Sequence, residues 1–180
     1  MNHYIDGVEV PPCSTTDLRN LATRIRRMLG LSANKAFPVP HFIEYVLPII
    51  YSDFILEVVS PCKMGNKHGE TIPDKHIIRL REDVYEGMCN GNGQDRFTGM
   101  HECSHLIKHE GVPLALARRS ARNLPAFLNS EWQADTLAAE LLMPYETTRS
   151  MLPEDIKDTF LVSASAAYTR FDKLRKERHG

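Results

Sequence analysis

Five residues, His101-Glu102-Cys103-Ser104-His105, constrain this 180-residue chain more than any others. On a helix, at 100° per residue, His105 lies about 40° round and about 6 Å along the axis from His101, so both imidazoles lean toward one point. They can grip one metal ion. Glu102 falls about 60° from His105 on the flank of that face, where its carboxylate can reach a water at the metal without being a ligand. That is where a general base has to stand.

Two histidines leave a catalytic metal one protein ligand short, since such a site takes three and keeps a position for water. His109 continues the same row but lies about 12 Å along the axis from His101, too far to share an ion. Gly111 is followed by no histidine until His179, so a carboxylate is the better third ligand. Ser130-Glu131-Trp132-Gln133 opens a helix with a Ser-x-x-Gln capping box. On it Glu131, Ala134, Asp135, Ala138, Leu141 and Leu142 fall within about 120° of arc, which puts two carboxylates on the core-facing stripe. A metal for Glu131 and the outer ring N–H of a ligand histidine for Asp135 would satisfy both. The alternative makes Glu131 an acidic first-turn residue favoured by the helix dipole and leaves Asp135 at the stripe's edge in water.

The rest of the chain is ordinary in composition. With 22 basic and 23 acidic residues the net charge is -1, so no global field favours nucleic acid or an anionic membrane, and 42% hydrophobic residues exclude a chain disordered throughout. The uncharged stretch Tyr45–Ser52 is far short of the roughly 18 to 20 residues that span a bilayer. Met1–Asp6 shows neither a basic nor an apolar signal region, so a cytoplasmic location is expected. Cys13, Cys62, Cys89 and Cys103 form no C-x-x-C pair and read as free thiols.

Residues 1–16 read as an irregular arm. A helix follows from Thr16 or Asp17 to Gly30, with Leu18, Leu21, Ala22, Ile25, Met28 and Leu29 on its apolar stripe and Arg19, Arg24, Arg26 and Arg27 on a solvated face. Pro40 can open a helix that Pro48 ends or kinks. Phe54–Val59 and His76–Leu80 read as strands, Lys63–Asp74 as a loop or hairpin turn, and Gly87–Gly93 as a loop. Helices are expected at Phe97–His109, Pro113–Arg122, Glu131–Met143 and Ser163–Glu177. Helices, then two or three strands, then helices argue for an α+β domain with a small mixed or antiparallel sheet.

Arg96-Phe97-Thr98-Gly99-Met100-His101-Glu102-Cys103-Ser104-His105-Leu106, with Glu131-Trp132-Gln133-Ala134-Asp135 and Ala138-Ala139-Glu140-Leu141-Leu142-Met143-Pro144 downstream, resembles the ImmA/IrrE family of zincin-like metallopeptidases. The resemblance covers Pro38–Leu174 and implies two parts. These are an N-terminal arm and helix, 1–37, packed on a zincin-like domain, 38–180, that includes the C-terminal helix. Carried over residue by residue, it makes His101, His105 and Glu131 zinc ligands, Glu102 the catalytic base, and Asp135 a partner behind the ligands. The chain departs at Gly99-Met100 and Cys103-Ser104. Cys103 lies about 200° from His101, so it should enter the core.

The implied activity is a regulatory endopeptidase that uses Zn2+ and acts on a protein or peptide substrate such as a transcriptional repressor or antitoxin encoded nearby, without membrane or nucleic acid. The strand His76–Leu80 is either the candidate edge for an extended substrate or plain sheet structure. Tyr145 is a candidate oxyanion donor, and His109 a hydrogen-bonding group near the cleft. Two other classes stay open. Phe160–Leu174 resembles the second half of a helix-turn-helix, which would suit a DNA-binding regulator. A zinc site closed by four protein ligands would suit a non-catalytic, partner-binding module.

Overall fold

The computed structural model describes residues 7–112 and 124–179; the helix expected at Pro113–Arg122 lies outside the described residues. Helix α1, Thr15–Met28, starts where Ser14 and Asp17 form a reciprocal capping box, and it buries Leu18 and Ala22. It packs along α5, Ser130–Leu142. The solvated arginine face is only half right. Arg24 and Arg27 are exposed, but Arg26 is 3% exposed, its guanidinium donating to the carbonyls of Leu141, Ser32 and Lys35. Three backbone acceptors offset much of the cost of burying a charge that pairs with no carboxylate among the described residues and whose Nε finds no partner there.

Arg19 pairs with Glu140 at 3.1 Å, and Glu140 also receives a two-pronged bond from Arg170 at 2.9 and 2.7 Å, with both side chains of that pair 1% exposed. This knot ties α1 and α5 to the last helix, α7, Ala164–His179. Glu140→Ala is expected to destabilise the fold by about 3–5 kcal/mol, because it strands a buried guanidinium. A thermal melt checks this, and an unchanged transition would contradict it.

Helix α2 is built from Val39–His41, a π-helical stretch Phe42–Val46, and Leu47–Ile50. Pro48 does not end it. The wider π turn precedes the proline and leaves it in the first turn of the last piece, where a missing N–H is tolerated. After β1, Ile55–Val59, the stretch expected as a loop or hairpin turn contains a strand, β2, Gly69–Ile72, which forms a hairpin with β3, Ile77–Arg81. The sheet is mixed, in the order β1-β3-β2, with β3 parallel to β1 and antiparallel to β2. The candidate edge strand is therefore the central one, already paired on both sides. The edge nearest the metal helix is β2.

Gly87–Gly93 is not all loop either. Gly87 lies in α3, Glu82–Cys89, whose buried Val84 and Met88 repay the roughly 1 kcal/mol that a helical glycine costs. Gly93 opens α4, Gly93–His109, under an Asn92 cap that accepts from the Gln94 and Asp95 amides. At Gly99, within α4, a Cβ would stand 2.6 Å from Met88 Sδ, so the glycine lets that flexible side chain lie close against the helix. Around helix α6, Pro153–Phe160, and α7, Val162, Ala167 and Leu174 are buried in the core and Ala166 and Phe171 pack against it, so the apolar residues of the helix-turn-helix-like stretch serve the fold. No described helix is long and apolar enough to cross a membrane.

Candidate metal centre

α4 and α5 pack against each other. Between them His101, His105 and Glu131 each offer one ligand atom, all within 4.8 Å of one another. The Nε2 atoms of His101 and His105 are 3.0 Å apart, and Glu131 Oε2 lies 3.3 Å from each. Ligands at about 2.0–2.1 Å from a tetrahedral zinc would sit about 3.3 Å from each other. The three atoms thus mark one triangular face of such a polyhedron. Two imidazole nitrogens and a carboxylate oxygen at these separations need a cation or a proton between them, so the donor set fits a divalent metal.

The N-terminal arm braces the start of α5. Glu9 bridges Asn129 in antiparallel fashion, Val8 donates to Ser130 Oγ, and the Ser130 amide donates back to the Val8 carbonyl. Ser130 is therefore not the cap. Asn129 caps the helix, accepting from the Trp132 amide, while the Gln133 amide group donates to Pro11 and Phe127 carbonyls. Glu131 is the residue this brace aims at the histidines.

Each ligand ring is held from behind. His101 Nδ1 donates to Asp135 Oδ1 at 2.8 Å, which leaves Nε2 free for a metal. His105 Nδ1 lies 3.0 Å from His109 Nδ1. Burial, reinforced by the neighbouring His105, pushes the His109 pKa down to about 3, so His109 is a neutral ring within hydrogen-bonding distance of His105 Nδ1. His109 is thus a support and not a ligand, as the helix rise requires. Cys103 is fully buried, pointing away from the metal face as its angle demands.

Glu102 is 7% exposed, on the flank facing β2. The Thr71 hydroxyl donates to its Oε2 at 2.6 Å, and Gly69 leaves the space it fills: a Cβ there would stand 2.6 Å from Oε1. Burial raises the Glu102 pKa, while His101, Thr71 and His105 pull it the other way. Thr71 and Gly69 had no signal in the sequence beyond lying in a Gly/Pro-containing stretch. Tyr145 is not brought to the site. α5 carries the chain about 16 Å from Glu131 to Leu142, and Tyr145 lies beyond that end with the Arg19 guanidinium 3.8 Å over its ring.

Burial disfavours a charge on His101, but Asp135 and Glu131 overcome it and hold the proton up to about pH 10. Burial likewise opposes ionisation of Glu131, yet the two histidines keep its carboxyl well below the usual range. Metal uptake must therefore displace the His101 proton. Between pH 6 and 9, zinc affinity should rise about tenfold per pH unit, with roughly one proton released per ion. Calorimetry in buffers of different ionisation heat reads both, and an affinity that ignores pH would contradict the arrangement.

A family model described as Peptidase_M78, IrrE N-terminal-like domain, matches residues 58–172, well over half of the chain. The chain belongs to the Peptidase_M78 family. No curated protein matches it. The M78 match contains α4 and α5 and all of β2 and β3, and so every residue of the metal cluster and of the Glu102 cradle. It makes the chain a member of a metallopeptidase-like family, in keeping with a mostly helical α+β fold on a small mixed sheet.

Proposed function

We propose that this M78 protein is a zinc-dependent endopeptidase that cuts a specific protein substrate, a repressor, antitoxin or other regulator encoded nearby. One observation carries the reading: three ligand atoms in one triangle with a buried carboxylate, Glu102, on its flank, all lining an open groove of about 740 Å³. Such a donor set spends three protein ligands and leaves room for water and a carbonyl.

His101, His105 and Glu131 would hold the zinc, with Asp135 and His109 fixing the two rings. A zinc ion so held supplies Lewis acidity toward a carbonyl oxygen and makes an adjacent water easier to deprotonate. Glu102 takes the proton that the water loses as its oxygen bonds to the carbonyl carbon. The same carboxyl returns the proton to the amine nitrogen as the C–N bond breaks. Burial of Glu102 favours a carboxyl that can hold the proton between the two events. The substrate would lie extended along β2, whose outer edge is unpaired among the described residues and which carries Thr71 and Gly69 beside the reacting centre.

The test is to incubate the zinc-loaded protein with the products of its neighbouring genes and read new termini by mass spectrometry. A single defined cut, abolished by chelation, is expected; intact substrates throughout would count against the reading. Gly69→Ala should keep its zinc but cut about 10²-fold more slowly, because the added methyl displaces the Glu102 carboxylate. Parallel measurements of rate and metal content check this, and a wild-type rate would show that the cradle is not needed.

A further inference from the structure

The zinc centre leaves a second and larger groove, of about 1180 Å³, without a role. Its walls include Phe97 from α4, Trp132, Asp135 and Ala139 from α5, and Tyr168 and Lys173 from α7. It shares no lining residue with the groove of the metal cluster and is linked to the cluster through Asp135. Asp135, on its wall, is the residue that holds His101, and Trp132 follows Glu131 in the chain. Phe97 stands one helical turn before His101.

The groove is aromatic and carries an unsatisfied cation. The Lys173 ammonium lies 5.8 Å from the centre of the Trp132 ring and makes no hydrogen bond or ion pair with the described residues. The charges around it are engaged: Arg170 by Glu140, Lys176 by Asp172, Asp135 by His101. Burial, assisted by Arg170, lowers the Lys173 pKa. Glu140 and Glu177 act on Lys173 only from a distance, each being paired with arginines instead, and an ammonium partly withdrawn from water with no carboxylate in contact among the described residues is improved by one, since charge-assisted bonds are the strong ones. The space exceeds the roughly 300–1,000 Å³ of small-molecule sites. It suits a stretch of peptide better than a free acid.

We propose that this groove is a specificity subsite for the substrate, in which Lys173 pairs with an aspartate or glutamate side chain while Trp132 and Phe97 pack an apolar neighbour of that residue. The identity of the occupant as substrate rests on the peptidase reading; the preference for an acidic peptide rests on the groove alone.

Zinc-loaded Glu102→Gln protein is panned against a random dodecapeptide phage library, and enriched peptides are synthesised and measured by fluorescence anisotropy. Enriched sequences should carry Asp or Glu beside an aromatic or large aliphatic residue. Lys173→Met, which keeps an apolar stem over Trp132, should weaken them about tenfold. Lys173→Glu, panned in the same way, should select Lys or Arg at that position. No enrichment, enrichment without an acid, or an acid preference unchanged in Lys173→Glu would each overturn the proposal. The active protein then separates the two readings. If it fails to cut the enriched acidic peptides the peptidase reading falls and the subsite stands, whereas cutting without regard to the acid has the reverse meaning.

Discussion

The Glu102→Gln protein is expected to bind zinc as the unaltered chain does and to cleave about 10²–10⁴-fold more slowly, the usual worth of a positioned proton-transfer group. Glutamine keeps the shape. Its amide oxygen can still accept from the Thr71 hydroxyl, which donates to Oε2 at 2.6 Å, and it fits the space left by Gly69. What it lacks is a site for the proton. Metal content stays because Glu102 is not among the three atoms that meet at the cluster. Single-turnover cleavage beside zinc analysis makes the comparison. A variant that cuts at the original rate would remove Glu102 as the proton acceptor.

His101→Ala and Glu131→Ala are expected to lose zinc altogether under dialysis against a mild chelator. Each deletes one corner of a triangle whose sides are 3.0, 3.3 and 3.3 Å, and two protein ligands do not hold the ion against competition. Asp135→Asn is milder, because it leaves all three ligands and weakens only the grip on the His101 ring, by about 10–100-fold in affinity. Full occupancy in both alanine variants would mean that the ion is held elsewhere.

The parts of the site that sequence disclosed are those whose chemistry forces a spacing. Two imidazoles on one helical face, and two carboxylates on a stripe that otherwise reads as core, define α4 and α5 and the residues that meet between them. The rise of α4 alone separates His109 from the ligands. What escaped is set by partners distant in the chain. β2 is four residues, one a glycine, and is a strand because β3 lies beside it. That pairing turns β3 from an edge into the centre of the sheet. Thr71 looks like any threonine until β2 is laid against α4. Arg26 reads as a surface charge because its acceptors come from Ser32, Lys35 and Leu141, and no local rule points to them. Tyr145 follows the expected helix end, but that end lies far from Glu131 and its ring serves as a platform for Arg19.

Anomalous scattering at the zinc edge, from crystals of the zinc-loaded protein, tests the metal centre most directly. One peak is expected between α4 and α5, about 2.0–2.2 Å from His101 Nε2, His105 Nε2 and a Glu131 oxygen, with the remaining position facing the groove. A peak remote from Glu131, or a fourth protein ligand closing the coordination shell, would contradict the account.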